Sequence, residues 1–313
     1  MSRKPAITAT GLKKAYDDKT VLDGIDISVD RGTVFALLGP NGAGKTTIVE
    51  ILSTLVPADG GDIRIAGYNP SDDPDAVRSR IGVTGQFSAV DDYLSGEENL
   101  LLMADLHHLG KDERRTRTDE LLKKFDLVES AEKLASTYSG GMRRRLDLAM
   151  TLIGRPEIIF LDEPTTGLDP RSRRTMWQII RELVEGGVTI FLTTQYLEEA
   201  DQLADHIAVL DQGRIVAQGT AAELKRRIPG GHIRLHFFDR DQLDSAAAVF
   251  DESSRDDAAY VLQVPSDGGV RSLRSLLDQL DAHSIDVKEL SVHTPDLDDV
   301  FLTLTATERT DAR

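Results

Sequence analysis

The chain has 313 residues, 40% of them apolar, enough for about two domains with an ordinary core. Its 37 basic and 53 acidic residues leave a formal charge of −16, which argues against non-specific wrapping of nucleic acid and against docking on an anionic lipid surface by charge alone. There is no cysteine, so a disulfide framework, a thiolate metal site and a cysteine nucleophile are excluded.

Three strand-like runs open the chain at close spacing: Ile7 to Ala15, Val21 to Val29 and Val34 to Leu38. They read as an antiparallel segment leading into the core. Helical patterns then dominate from about Gly96 to Thr151, over Glu97 to His107, Lys111 to Phe125 and Gly141 to Ile153. Three β-rich runs follow, Glu157 to Asp162, Val188 to Thr194 and His206 to Leu210, with a helix over Arg171 to Glu185 between the first two. Asp211 to Arg214 reads as a hairpin turn and Ala221 to Ile228 as a closing helix. Short β-runs alternating with helices predict an α/β domain with a largely parallel sheet over residues 1–228, with a helical subdomain over about 87–151.

Pro229-Gly230-Gly231 is the linker candidate, and residues 232–313 form the expected second domain. Residues 231–313 hold 17 acidic and 8 basic residues, so −9 of the −16 lies there. Strand, helix, strand, helix, strand and a last helix (Leu297 to Thr305) predict a small α+β domain with one sheet and helices on one face. No apolar run approaches the roughly 18 residues of a membrane span, and no hydrophobic signal segment follows Met1 to Pro5, so service to a membrane is expected to go through a partner.

The sharpest motif is Gly39-Pro40-Asn41-Gly42-Ala43-Gly44-Lys45-Thr46, between a buried strand and a helix. Its glycines let backbone N–H groups curl around phosphate oxygens. Lys45 offers a cation to the β- and γ-phosphates, Thr46 a hydroxyl to Mg2+, and the helix N-terminus adds partial positive charge. A second apolar strand, Ile158 to Leu161, ends in Asp162-Glu163. Asp162 is placed to hold Mg2+, and Glu163 to orient and deprotonate a water attacking the γ-phosphate. Ser139 is a good N-cap, and Gly140-Gly141 expose backbone N–H groups, as an ordinary capped helix or as a second anion site. Arg143-Arg144-Arg145 reads as a solvated or phosphate-adjacent face rather than a nucleic-acid patch, and His107-His108 has no neighbouring ligand cluster.

In order and spacing over residues 6–220, this set resembles the ATP-binding subunits of ATP-binding cassette (ABC) transporters. The matching residues are Tyr16, the loop Gly39 to Thr46, Gln86, Ser139-Gly140-Gly141, Asp162-Glu163, Leu168-Asp169 and the position of Gln195. The resemblance implies that Tyr16 stacks on adenine, Thr47 contacts the α-phosphate, Gln86 links Mg2+ and the attacking water to a membrane partner, and Asp169 lies at a dimer contact. It implies a homodimer in which Ser139-Gly140-Gly141 of one copy closes over ATP held by the other. It also implies that the helical subdomain meets a polytopic membrane permease of about six spans.

Two positions depart from the family pattern. Met142 stands where Gln is usual, and Gln195 where most members have a switch His. An amide can donate a hydrogen bond to γ-phosphate but cannot carry a proton or a charge. The run Thr194 to Asp201 and the tail Leu297 to Leu302 resemble more narrowly the daunorubicin/doxorubicin-resistance type of exporter ATPase, whose C-terminal extension is associated with transporter assembly. Leu297, Val300, Phe301 and Leu304 share one helical face, as a core stripe or as a dimer or partner contact.

The expected function is ATP binding and hydrolysis, with Mg2+, that powers an exporter of drugs or other hydrophobic compounds at the cytoplasmic face of the membrane. A cassette ATPase of translation or DNA repair is the alternative, disfavoured by the single cassette and the absence of sustained heptads. An importer ATPase is the other, disfavoured by the Gln195 segment and the tail.

Overall fold

A computed structural model describes residues 4–85, 89–226, 231–267, 269–293 and 296–301. It divides into two compact units, Met1–Ala221 and Ala222–Arg313. The division precedes the linker proposed at Pro229-Gly230-Gly231, of which Pro229 and Gly230 lie outside the described residues.

In chain order the first unit runs β1 (Pro5–Tyr16), β2 (Lys19–Asp30), β3 (Val34–Leu38), α1 (Lys45–Leu52), β4 (Gly60–Ile65), α2 (Pro74–Arg78), β5 (Ile81–Thr84), α3 (Gly96–Leu106), α4 (Lys111–Lys124), α5 (Gly140–Thr151), β6 (Ile158–Asp162), α6 (Pro170–Glu185), β7 (Thr189–Thr194), α7 (Leu197–Leu203), β8 (His206–Asp211) and β9 (Arg214–Gly219). The short helix α8 (Ala221–Arg226) follows.

The expected antiparallel segment is real, but its membership differs. β1 pairs with β2 and β4, and β3 leaves for the six-stranded sheet, order β5-β6-β7-β3-β8-β9. There β3 runs parallel to β7 and β8, and β6 parallel to β5 and β7, while β9 returns antiparallel on β8. The reason is composition. Val34–Leu38 is apolar at every position and wholly buried, as a strand covered on both faces must be, whereas β1 and β2 alternate. β6 and β7 are also buried along their length, and Phe35, Phe191 and Phe160 form a continuous aromatic layer with ring centroids 5.2 and 5.6 Å apart.

β4 and β5 carry little sequence signal because both are short and contain glycine. In β5 the glycine is a packing requirement: a Cβ on Gly82 would lie 2.4 Å from the Thr151 methyl of α5. α3 begins with a capping box between Ser95 and Glu98. α6 begins with Asp169 as N-cap and Pro170 in its first turn, then buries Met176, Trp177, Ile179, Ile180 and Leu183.

The second unit contains β10 (His232–Phe237), α9 (Arg240–Val249), β11 (Ser254–Asp256), β12 (Val261–Pro265), α10 (Val270–Ala282) and β13 (Val287–His293). Its sheet is antiparallel throughout, in the order β11-β12-β10-β13. The β-α-β-β-α-β order with this strand arrangement is the ferredoxin-like topology. Its core joins Ile233, Leu235 and Phe237 of β10 to Leu243 and Ala246 of α9 and Leu276 and Leu280 of α10. The three-residue β11, polar at every position, is the strand of this unit that the sequence pattern does not mark. Leu297 and Val300 of the last helical segment are buried, while Leu304 lies outside the described residues.

Candidate functional site

Because β3, β6 and β7 are parallel neighbours in one sheet, their carboxyl ends share an edge. That edge carries Gly39, Asp162-Glu163 and Gln195, and in open α/β sheets it is where ligands bind. A cleft of about 370 Å3 lies there, lined by Val21, Asn41, Gly42, Gly44, Lys45, Thr46, Thr47 and Glu163. Larger hollows of about 650 Å3 lie beside β1 and β2 and, separately, in the second unit, but neither contains a phosphate-binding loop.

The loop after β3 is shaped by its glycines. Gly42 and Gly44 have φ of 81° and 109°, where an L side chain is strained. A Cβ on Gly44 would also meet the Leu22 side chain at 2.7 Å, and one on Gly39 the Leu210 carbonyl oxygen at 2.4 Å. Ala43 N–H donates to the Pro40 carbonyl, while the Ala43 carbonyl accepts from Gly213, fixing the loop to the β8–β9 turn. Lys45 is buried, and its ammonium reaches three acceptors: the carbonyls of Gly39 (2.8 Å) and Pro40 (3.2 Å) and Glu163 Oε1 (3.5 Å).

Asp162 and Thr46 meet directly. Thr46 Oγ1 donates to Asp162 Oδ2 at 3.2 Å, and Thr193 of β7 donates to Asp162 Oδ1. Glu163 follows in the left-handed region, φ 49°, which an L residue occupies at a cost of about 1 kcal/mol or more. Its N–H donates to the Thr193 carbonyl (3.1 Å) and to Thr193 Oγ1 (3.2 Å), and its carboxylate accepts from Thr166 (3.3 Å). This turn, rather than strand alternation, swings Glu163 back toward Lys45.

Tyr16 ends β1, 43% exposed, outside the lining of the cleft, with Lys14 Nζ 5.2 Å above its ring. Asp59 fixes that strand end, accepting from Lys14 (2.8 Å) and from Ala15 N–H (2.7 Å), and these bonds hold its carboxyl below the ordinary carboxylate range. Gln195 is exposed immediately after β7. Gln86 lies outside the described residues.

Ser139 caps α5, accepting from Met142 N–H, and Ser139 and Gly140 are exposed. Neither lines the cleft formed by Lys45 and Thr46. Asp169 accepts from the Ser172 hydroxyl (2.6 Å) and from the N–H groups of Ser172 and Arg171, which lower its pKa.

Of the two readings of the basic run, a solvated face and a phosphate-adjacent one, the solvated face does not hold. All three arginines are partly buried and bonded to protein: Arg143 to Asp92 and the Val90 carbonyl, Arg144 to Asp147 and four backbone carbonyls, and Arg145 to Phe125 and Asp126. Sequence reasoning also missed Thr193 and the buried Glu199. Glu199 Oε1 accepts from Thr165 (2.8 Å) and Trp177 (3.2 Å). Polar residues inside the otherwise apolar β7 are the signal that could have found Thr193 and Thr194.

Comparison with known proteins identifies the family. Residues 22–166 match the family model described as ABC transporter, and residues 219–305 match the C-terminal domain model of ATP-binding proteins of the DrrA1-3 type. The chain is 49% identical to daunorubicin resistance ATP-binding protein DrrA3 of Streptomyces coeruleorubidus, over 97% of each chain. It is 44% identical to daunorubicin/doxorubicin resistance ATP-binding protein DrrA of Streptomyces peucetius, over 96% of this chain and 92% of that one. Among solved structures, an ATP-binding subunit of an ABC transporter superposes with a TM-score of 0.64 at 29% identity, over 71% of this chain and 92% of that one. A dimeric ATP-binding cassette in a post-hydrolysis state with ADP and Pi matches at 0.62 and 25% identity, over 68% of this chain and 98% of that one. The chain is an ATPase, and it belongs to the ATP-binding proteins of ABC transporters, in the group of the daunorubicin/doxorubicin resistance proteins.

Proposed function

We propose that this chain is the motor of an exporter: two copies bind ATP, close on each other, and drive a separate membrane permease from its cytoplasmic side. The observation that carries the catalytic part is the convergence of Lys45, Thr46, Asp162 and Glu163 at one sheet edge. Export of drugs or other hydrophobic compounds is carried over from relatives named for daunorubicin, doxorubicin and linearmycin resistance. Among the described residues no helix is long and apolar enough to cross a membrane, which is consistent with a separate permease.

In this reading the loop N–H groups from Asn41 to Thr47 and the Lys45 ammonium cradle the phosphates. Lys45 then exchanges some of its carbonyl and Glu163 contacts for phosphate oxygens. Glu163, freed from Lys45, accepts the proton of the attacking water, and Gln195 donates an amide hydrogen bond to the γ-phosphate. Tyr16 offers its half-exposed ring to adenine, and Ser139-Gly140-Gly141 face the nucleotide of the other copy, with Asp169 at the contact between copies. Gln86 connects the site to the permease.

The donor set at Thr46 and Asp162, a hydroxyl against a carboxylate, suits a hard cation such as Mg2+. Among the described residues no cluster of three or more His, Asp or Glu is placed to hold a metal by itself, so nucleotide oxygens and water would complete its coordination. When bound, Mg2+ would neutralise charge on the β- and γ-phosphate oxygens.

The test is to express the Glu163→Gln variant in its native cells, extract membranes with Mg-ATP in detergent, and identify what co-purifies. A polytopic permease supports export. Recovery only from the soluble fraction with ribosomal or DNA-associated proteins sinks the transport reading and leaves the ATPase intact.

A further inference from the structure

Glu163 sits in a conformation that must be imposed on it, and the side chain that imposes it lies on another element. The guanidinium of Arg144, one turn into α5, donates to three successive carbonyls of the turn: Asp162 (Nη2, 3.0 Å), Glu163 (Nη2, 3.4 Å) and Pro164 (Nε, 3.0 Å). Its Nη1 donates to the Gly85 carbonyl at the end of β5 (3.1 Å) and to Asp147 Oδ2 (3.2 Å). Both partners are largely buried, with Arg144 at 13% and Asp147 at 4% side-chain exposure. Asp147 in turn accepts from Ala89 N–H (3.1 Å).

The peptide group between Asp162 and Glu163 is thus held at both ends, its carbonyl by Arg144 and its N–H by Thr193. The next peptide precedes Pro164 and has no N–H, so its carbonyl is its one handle, and Arg144 takes that as well. With both flanking peptides fixed, the direction in which the Glu163 side chain leaves the backbone is fixed.

We propose that Arg144 is a positioning residue for ATP hydrolysis, which locks the Glu163 turn and ties it to the helix capped by Ser139 and to Gly85. This rests on the reading of Glu163 as the base that activates water. The arrangement needs a planar fork of donors. A lysine keeps the charge beside Asp147 but cannot span five acceptors. Asp147 sets the plane of the fork by taking Nη1. Its own carboxyl is pushed up by burial and pulled back by Arg144.

The test uses the full-length chain purified with its permease, in four forms: wild type, Arg144→Ala, Glu163→Gln and the double variant, with Arg144→Lys as a fifth. Phosphate release and ATP affinity are measured on each. Because misplacing a reacting group by about 1 Å can cost about 10²-fold, Arg144→Ala is expected to lower kcat by that order and to leave ATP affinity within about threefold. Arg144→Lys is expected not to rescue it. The decisive readout is the double variant. If Arg144 acts through Glu163, removing it from the Glu163→Gln background costs no further turnover.

Losses that multiply, or a fall in ATP affinity that matches the fall in kcat, would show Arg144 to be a general structural support and overturn the proposal. So would wild-type turnover in Arg144→Ala. Should that variant not fold, Arg144→Lys carries the same comparison. Wild-type turnover in Glu163→Gln would instead overturn the reading of the base, so the two failures are distinguishable.

Discussion

Lys45 Nζ lies 3.5 Å from Glu163 Oε1, and both side chains are nearly buried, at 5% and 10% exposure. The cation proposed to bind phosphate and the carboxylate proposed to activate water therefore neutralise each other across the cleft. Breaking a buried pair by removing one partner leaves an uncompensated charge, whereas a neutral amide in place of the carboxylate retains a hydrogen-bond acceptor. Glu163→Gln is accordingly expected to fold and bind ATP while losing about 10²–10⁴-fold in turnover, the usual worth of a general base. Phosphate release and equilibrium dialysis of ATP check the two halves, and unchanged turnover would remove Glu163 from the mechanism.

Gln195 follows β7, the strand whose Thr193 grips both Asp162 and the Glu163 N–H. Its proposed task is one hydrogen bond to γ-phosphate. Losing one such donor costs about 10²-fold in comparable oxyanion sites. Gln195→Ala should show a loss of that order with Tm unchanged, because the side chain is exposed. If steady-state hydrolysis is unaffected, the amide has no catalytic part.

Glu199 makes a pH-dependent prediction. Burial pushes its carboxyl above the ordinary value of 4.5, against hydrogen bonds from Thr165 and Trp177 and the charge of Arg173. An acid raised in the folded state contributes stability that is full below the unfolded pKa and is lost as pH rises through the folded value. Glu199→Gln cannot ionise. Thermal melts from pH 4.5 upward should therefore show the variant gaining on wild type as pH rises, then running parallel above the folded value. Glu199→Leu strands the Thr165 hydroxyl and the Trp177 N–H and should cost about 1–3 kcal/mol at any pH. A Gln variant that loses ground as pH rises would contradict the assignment.

Gly140 and Gly141 are adjacent, yet they answer to different constraints. A Cβ on Gly140 meets nothing within 4 Å, while one on Gly141 would lie 2.5 Å from Ser172 Oγ and 2.9 Å from Ser172 Cβ. Gly141→Ala should destabilise the chain by about 1–3 kcal/mol through overpacking of α5 against α6. Gly140→Ala should leave Tm unchanged or slightly raised, so any loss of ATP-driven dimerisation in it reports on the contact between copies. Equal melting temperatures for the two variants would contradict the packing.

Much of the site was legible because its chemistry is local. The glycines of Gly39 to Gly44, the lysine and the hydroxyl must lie in consecutive positions to wrap a phosphate, and an apolar strand ending in Asp162-Glu163 announces carboxylates at a sheet edge. The second unit was legible as an alternation of strands and helices for the same reason. β5 and β11 were not, because Gly82 answers to the packing of Thr151 and β11 has no apolar residue to mark it.

What the sequence could determine by itself was which groups are present and in what order, since motif spacing and hydrophobic period are properties of neighbours along the chain. Only the tertiary structure decided which of them meet. Parallel pairing of β6 with β7 puts Thr193 opposite Asp162, and the left-handed turn at Glu163 aims a carboxylate at Lys45. A run of three arginines that reads as a solvated or phosphate-adjacent face becomes three separate anchors, and Arg144 closes on carbonyls 18 to 20 residues ahead and on Gly85, 59 residues behind. Such contacts follow from strand order and helix docking, which minimise exposed apolar surface over the whole fold and leave no trace in the spacing of any one segment.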